Sequence, residues 1–172
     1  FTTLLDWVLK CVSGTPANMG SQIVKGTLEI FKTVSNELLP TPSKSHYTFN
    51  LRDIAKVIQG MFSLQLDASA DGIQKMWIHE LQRIFQDRLI NDEDRSWFDK
   101  LMDKVSFDLF KKNLDVICGD GADGNGLLLF ADFTTKHPDP LKRPYLQVTD
   151  LQACIKSAND YLDEFNAMTN KP

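Results

Sequence analysis

A proline-bounded connector followed by a strong helix start is the feature that most constrains how this chain can fold. Pro40 and Pro42 end the preceding amphipathic stretch, because proline cannot continue the helical hydrogen-bond ladder. Asn50 is a favourable helix N-cap, and Asp53 completes a carboxylate version of the capping box. The pattern predicts two helices joined by a rigid connector, with Arg52 in the first turn of the second helix.

Arg52 occupies an unusual place on that second helix. At 100° per residue the apolar side chains gather on one face, which comprises Leu51, Ile54, Val57, Ile58, Met61 and Phe62. Arg52 points almost directly away from this face, in a first turn where the helix dipole prefers anions. An exposed arginine beside free backbone N–H groups is suited to a phosphate. A surface arginine balanced by Asp53 is the alternative, and spacing alone favours it.

Helices fill the sequence up to about residue 113; the first is short and apolar, and the others are amphipathic. We predict them over residues 1–12 and 21–39, from Asn50 to about Ser63, through 73–89, and after Asn91, whose first turn is acidic. The predicted core face of the helix at 21–39 comprises Val24, Leu28, Phe31, Val34 and Leu38. Packed on each other, these helices would form a small helical domain.

Composition changes sharply at Cys118. A glycine-rich loop at 119–126 precedes a strand candidate at 127–133, and Thr149 with Gln152 predicts a capping box that opens a last helix. The apolar face of that helix comprises Leu151, Ile155, Ala158, Leu162 and Phe165. This segment has too few elements for a core of its own, so we expect a mainly α fold: a helical domain over residues 1–113, then the truncated start of another domain over 114–172.

Charge and cysteine usage restrict the partners and the compartment. The net charge of −4 gives no electrostatic case for nucleic acid or an anionic membrane, and no apolar run approaches the length of a membrane span. The three cysteines are far apart and odd in number, which favours reduced thiols in a cytosolic compartment. The chain opens on Phe1 without a signal peptide, and we interpret it as a piece of something longer.

No motif in the sequence indicates catalysis or metal binding. The glycine-rich loop lacks the lysine and hydroxyl of a phosphate-binding loop after Gly126, and it lacks calcium-ligand spacing. His46, His79 and His137 are far apart and fit no metal pattern. We predict no catalytic residue and no metal site, and hence no enzyme activity in the isolated fragment. The aromatic side chains Trp77, Phe85, Trp97 and Phe98 recur at helical spacing, which favours core packing.

Five segments, in order, resemble dynein heavy chains over nearly the whole sequence. They are LLPTPSKSHYTFNLRD at 38–53, FQDRLINDEDR at 85–95, LFADF at 129–133, RPY at 143–145 and DYLDEFN at 160–166. The sequence of these segments is more similar to axonemal than to cytoplasmic heavy chains. The resemblance implies a cytoplasmic, cytoskeletal protein of the ciliary or flagellar axoneme, which contacts microtubules indirectly through its parent chain.

In that family the motor is a ring of six AAA+ modules, each with a large α/β part and a small helical lid. The resemblance implies that residues 1–113 are the lid of the third module and that 114–172 begin the fourth. ATP or ADP with Mg²⁺ would bind in the parent motor, whereas the fragment alone would hold no cofactor. Its partners would be the neighbouring AAA+ modules of the same heavy chain.

The resemblance also gives Arg52 a role. AAA+ lids carry an arginine at the start of a lid helix, termed sensor 2, which reaches the nucleotide phosphates, and Arg52 occupies that position by motif match. The lid would thereby sense nucleotide state and couple adjacent modules. The alternative is a stand-alone helical module that binds a partner through the acidic and aromatic helices around residues 71–105. A small-molecule enzyme is a distant third interpretation.

Overall fold

The computed structural model describes residues 18–63, 69–121, 126–135 and 143–169. Its contacts divide the chain into two compact units, Phe1–Ile117 and Cys118–Pro172. The helix predicted over residues 1–12 lies outside the described residues. The described part of the first unit is helical, and that of the second contains two short strands and a long helix. The predicted fold class, a helical domain followed by a short α/β start, is confirmed.

Helices of the first unit pack around a central one. Their bounds are α1 (Met19–Glu37), α2 (Leu51–Met61), α3 (Ala70–Ile84), α4 (Asp92–Phe110) and the short α5 (Leu114–Cys118), with 3₁₀ turns at Pro42–Lys44 and Gln86–Arg88. Helix α2 packs on α3, and α1 packs on α4 and on α2. Helix α3 has buried residues on every side, among them the charged Glu80. It is therefore the centre of this unit.

Two glycines permit the helices to approach closely. A Cβ at Gly26 of α1 would lie 2.9 Å from the Trp77 ring and against the side chain of Leu109. A Cβ at Gly60 of α2 would overlap the carboxylate of Glu80. Side chains larger than hydrogen would force the helices apart at both crossings, because a packed interior has little free volume.

The core face of α1 differs from the predicted one. Its buried residues are Met19, Gly20, Ile23, Gly26, Thr27, Ile30 and Val34, whereas Leu28 is exposed. The Trp77 indole N–H donates to Thr27 Oγ1 at 2.9 Å, and the Thr27 hydroxyl donates to the Ile23 carbonyl at 2.8 Å. Of the five predicted residues only Val34 is buried, because the core face is rotated to include Ile23 and Ile30 together with a glycine and a threonine.

The apolar face predicted for α2 is largely confirmed. In α2 Ile54, Val57, Ile58 and Met61 are buried, while Leu51 is 72% exposed and Phe62 is also exposed. The aromatic side chains Trp77, Phe85 and Phe98 are fully buried. Their burial confirms that these three are core residues and leaves them unavailable to a partner of a stand-alone interaction module. Trp97 is only half-buried, so its prediction as a core residue was wrong.

A minimal antiparallel pair of strands and one helix form the described part of the second unit. Strand β1 (Phe130–Ala131) pairs with β2 (Leu146–Gln147) in the register Phe130 to Gln147. A small core contains the buried residues Ala131, Val148 and Cys154. The strand predicted at 127–133 is thus shorter than expected. Its partner β2 was missed because only two of its residues enter the ladder.

The last helix, α6 (Leu151–Thr169), begins one residue later than predicted. Asp150 is the capping residue, since its Oδ1 accepts the N–H groups of Gln152 at 2.9 Å and Ala153 at 3.1 Å. The predicted Thr149–Gln152 capping box is therefore wrong: an aspartate adjacent to the threonine supplies the cap. The predicted apolar face exists in α6 but is mostly exposed, at Ile155, Leu162 and Phe165.

Candidate functional site

The start of α2 is fixed by the predicted capping box. Asn50 has extended backbone angles (φ −143°, ψ 172°), and its Oδ1 accepts the Arg52 N–H at 2.9 Å. Asp53 Oδ2 accepts the Asn50 N–H at 3.0 Å in return. The Asp53 N–H donates to the Asn50 carbonyl at 2.9 Å. The N–H groups of these three residues are thus occupied, so the expectation of free backbone donors beside Arg52 is wrong for them.

The guanidinium of Arg52 is left available at this helix start. Arg52 is exposed, and within the described part of the chain its side chain makes no hydrogen bond or ion pair. Asp53 does not balance it, because that carboxylate is only 5% exposed and pairs through Oδ2 with Arg88 Nη1 at 3.2 Å. The interpretation of Arg52 as a surface arginine neutralised by Asp53 is therefore wrong.

Arg88, in the 3₁₀ turn after α3, clamps the connector instead. Its Nη2 donates to the carbonyls of His46 at 3.0 Å and Thr48 at 2.9 Å. Its guanidinium carbon lies 4.8 Å from the centroid of the Phe49 ring, a cation–π distance. The His46 Nε2 in turn contacts the Arg88 carbonyl oxygen at 3.0 Å. One arginine thereby joins the connector, the cap of α2 and the end of α3.

A second anchor holds the same connector to the first turn of α4. Asp94 Oδ2 accepts from Lys44 Nζ at 2.6 Å and from the Tyr47 hydroxyl at 2.8 Å. The Tyr47 oxygen accepts the Ile90 N–H at 3.0 Å, and the Tyr47 ring is buried. The connector therefore lies fixed against both ends of the α3–α4 junction.

The contacts within this second anchor stabilise the charged form of the Asp94 carboxylate. The hydrogen bond to Asp94 raises the pKa of Lys44. Burial raises the pKa of the Tyr47 hydroxyl, which stays protonated and can donate. Burial alone would raise the pKa of Asp94, but the hydrogen bonds from Lys44 and Tyr47 outweigh it and lower that pKa below its usual value. Asp94 is consequently an anion near neutral pH.

Sequence reasoning missed Arg88 and the role of Asp94. The partners of these two residues lie between 35 and 50 positions away, so no helical spacing rule connects them. The acidic run at 92–94 was interpreted only as a complement to the helix dipole. Asn91 does stand at the N-cap of α4, but its side chain makes no capping hydrogen bond.

Other sequence candidates contribute no site within the described residues. His79 is buried, with Nε2 4.0 Å from Glu80 Oε1, and His137 lies outside the description. No group of three or more histidine, cysteine or acidic side chains in that part of the chain could hold a metal ion. None of its helices has the length and apolarity needed to cross a membrane.

Comparison with known proteins places this geometry within one family. The family model for the dynein heavy chain ATPase lid domain matches residues 4–95, a span that includes Arg52, Arg88 and Asp94. The chain is 36% identical to dynein axonemal heavy chain 12 of Mus musculus over 96% of its length. It is 35% identical to human dynein axonemal heavy chain 1 over 90% of its length, and 34% identical to human dynein axonemal heavy chain 6 over 99%. It spans only 6%, 4% and 4% of these three relatives, respectively.

Proposed function

This chain belongs to the dynein heavy chain family, and we propose that its first unit is the nucleotide-sensing lid of a AAA+ module in the motor ring of an axonemal-type heavy chain. In this proposal the parent chain hydrolyses ATP with Mg²⁺ and moves along microtubules. The role proposed for this segment is sensing rather than hydrolysis. Residues 1–113 form the lid of the third module and 114–172 begin the fourth, so the segment links two neighbours in the ring.

The observation that carries the proposal is the state of Arg52. Its guanidinium is exposed at the first turn of a helix, and within the described residues no acidic side chain occupies it. The backbone N–H groups of Asn50, Arg52 and Asp53 are already used. A phosphate approaching this helix start would therefore meet the side chain of Arg52 and the positive end of the helix dipole.

The proposed mechanism is electrostatic. A guanidinium donates charge-assisted hydrogen bonds to phosphate oxygens, and each such bond contributes about 1.5–3 kcal/mol. Arg52 would bind the nucleotide held by the large part of its module. The position of the lid would therefore depend on how many phosphates the nucleotide carries. Loss of the γ-phosphate would weaken this link and allow the lid to rotate.

Support also comes from how firmly the helix start is held. The connector at 40–50 is attached to the α3–α4 junction through Arg88 and Asp94. A phosphate that moves Arg52 would consequently move the helical unit with it, because the cap of α2 is tied to α3 and α4. Such a rigid connection is what a lid needs to transmit nucleotide state to the adjoining module.

The test is Arg52→Ala in the complete heavy chain, with the phosphate-binding loops of the other modules disabled by substitution. We expect the Kd of a fluorescent ATP analogue at the remaining module to rise about 10- to 100-fold, the equivalent of one lost charge-assisted hydrogen bond. ADP affinity should fall less, because ADP lacks the γ-phosphate and Arg52 therefore has fewer phosphate contacts to lose. The ATP affinity of Arg52→Lys should lie between those of Arg52→Ala and the unsubstituted motor, because lysine retains the charge without the planar fork.

Lys56→Ala is the matched control, because Lys56 is an exposed cation one turn further along the same helix. It should leave both affinities near those of the unsubstituted motor. Equal losses of nucleotide affinity in Arg52→Ala and Lys56→Ala would mean that only the net charge of the helix matters, and would contradict a specific role for Arg52. Unchanged nucleotide affinity and hydrolysis in Arg52→Ala would overturn the proposal.

A further inference from the structure

We propose that Arg88 is a positioning residue for Arg52: it holds the capping box of α2 so that the Arg52 guanidinium is presented to the phosphates. This inference rests on the proposed nucleotide-sensing function. According to this inference, the orientation of Arg52 is determined by a second arginine that lies 36 positions later in the chain. Arg88 itself would touch no nucleotide.

A continuous series of hydrogen bonds connects the two arginines. Arg88 Nη1 donates to Asp53 Oδ2 at 3.2 Å, and the same oxygen accepts the Asn50 N–H at 3.0 Å. Asn50 Oδ1 then accepts the Arg52 N–H at 2.9 Å. Asp53 is the shared acceptor, so loss of Arg88 would leave a nearly buried carboxylate held by the cap alone. A buried charge without its partner is strongly unfavourable, and the cap would rearrange to hydrate it.

The connector on the other side of the cap depends on the same guanidinium. Nη2 of Arg88 bonds the carbonyls of His46 and Thr48, and the Phe49 ring packs against the guanidinium plane. These contacts fix the chain immediately before Asn50. The direction in which α2 enters, and hence the direction of its first-turn side chains, follows from them.

Only an arginine can make this set of contacts. Its planar fork reaches one carboxylate and two carbonyls at once while stacking on an aromatic face. A lysine would retain the charge at Asp53 but would present a single ammonium without a planar face. Arg88→Lys therefore preserves the ion pair while releasing the connector, which separates positioning from charge.

The location of Arg88 adds a consequence for coupling. It lies in the Gln86–Arg88 turn, which packs on α3 and precedes α4. A displacement of the α3–α4 junction by a neighbouring module would reach Arg52 through these bonds. The same path would run in the opposite direction when nucleotide moves Arg52, because coupling between binding events is reciprocal.

The experiment measures Kd for fluorescent ATP and ADP analogues in the complete heavy chain with only this module able to bind nucleotide. It compares Arg88→Lys, Arg52→Ala and the double variant. We expect Arg88→Lys to reduce the preference for ATP over ADP by about three- to tenfold. In the Arg52→Ala background the same substitution should change nothing further, because the group it positions is absent. If Arg88 had a merely structural role, Arg88→Lys would weaken the binding of ATP and ADP alike and leave the ratio of their Kd values unchanged.

Two further variants complete the design. Phe49→Leu removes the aromatic face beneath Arg88 without altering any charge, and we expect a smaller loss of ATP preference in the same direction. Arg95→Lys is the matched control, since among the described residues the Arg95 side chain forms only an exposed ion pair with Asp92, at 3.0 Å. It should leave the ratio unchanged. Thermal unfolding of each motor variant verifies that the module is folded.

Each remaining outcome has one meaning. If Arg52→Ala lowers ATP preference while Arg88→Lys and Phe49→Leu do not, the positioning role is wrong and the sensing role stands. If the effects of Arg88→Lys and Arg52→Ala multiply in the double variant, Arg88 acts independently of Arg52 and the inference is wrong. If Arg52→Ala itself has no effect, the proposed function fails and this inference fails with it.

Discussion

Helices α3 and α6 are both amphipathic by sequence, yet they are buried to very different extents. Helix α3 has 15 residues and buries nine of them, including Trp77 and Glu80. Helix α6 has 19 residues and buries only Cys154, while Leu162 and Phe165 are exposed. An apolar stripe therefore identifies a helix that needs a partner surface. Whether the stripe has that partner depends on the surrounding elements.

The difference follows from what each helix packs against. Helix α3 meets long helices at close range, since Gly26 and Gly60 allow backbones to approach it. Helix α6 faces two strands of two residues each, and only a small core forms there. Buried apolar area drives folding, so we expect the stability of the chain to reside in the first unit.

The largest effect should come from Trp77→Ala in α3. The variant removes a fully buried side chain and the hydrogen bond that its indole donates to Thr27, so it leaves a large cavity at the centre of the first unit. We expect the free energy of unfolding to fall by about 3–5 kcal/mol. Urea unfolding of the 172-residue chain, followed by far-ultraviolet circular dichroism, measures it.

Trp97→Ala is the matched control, because Trp97 is a half-buried tryptophan on α4. Its loss should lower the free energy of unfolding by about 1 kcal/mol or less. Equal losses at the two tryptophans would mean that α3 is no more central than the surface of α4, and the comparison with α6 would lose its basis.

The sequence predicts the core of α3 well and that of α1 poorly, and the reason is physical. Large aliphatic and aromatic side chains recur at helical spacing along and just after α3, and all of them are buried: Ile73, Trp77, Leu81, Ile84, Phe85 and Leu89. In α1 the core contact is made by Gly26, which must be small, and by Thr27, which accepts a hydrogen bond from Trp77. The predicted face left out these two residues and also the buried Ile23 and Ile30 beside them, so it was rotated away from the true core face.

An intermediate effect should come from Tyr47→Phe in the connector. The variant keeps the buried ring but removes the oxygen that accepts the Ile90 N–H and the hydroxyl that donates to Asp94. We expect a loss of about 1–2 kcal/mol in the free energy of unfolding at neutral pH. Tyr161→Phe in α6 is the control: it keeps the ring that meets Phe133 edge-on, and it should change the free energy by less than about 0.5 kcal/mol.

The Tyr47→Phe difference should also depend on pH in a defined direction. Asp94 has a lower pKa in the folded chain than its usual 3.8, so its stabilising contribution is present above that value and is lost as the pH falls through the folded-state pKa. Removing the Tyr47 hydroxyl removes one of the bonds that lower this pKa. The difference in free energy of unfolding between the two proteins should therefore narrow as the pH falls below 3.8 and through the lowered folded-state pKa of Asp94, because beyond that point Asp94 is protonated in both. A gap that stays constant down to pH 2 would assign the whole loss to the Ile90 N–H.

The candidate site divides in the same way between local and distant determinants. Asn50, Arg52 and Asp53 are adjacent in the chain, so their capping box could be predicted from spacing. Arg88 and Asp94 reach the connector only after α2 and α3 have packed, and their contacts depend on the tertiary fold. The sequence therefore predicts that Arg52 is exposed at the helix start but cannot predict which residues hold that helix start in place.

The smallest effect on stability should come from Phe165→Ala in α6. Phe165 is 64% exposed, and the substitution removes little buried area, so the free energy of unfolding should change by less than about 0.5 kcal/mol. Self-association should respond instead, because Ile155, Leu162 and Phe165 form an exposed apolar strip and such patches promote association. We expect sedimentation velocity to show a larger monomer fraction for Phe165→Ala than for Asn166→Ala, its polar neighbour on the same helix. A destabilisation comparable to that of Trp77→Ala would mean that α6 is buried against a surface of the folded chain, and the contrast between the two helices would be wrong.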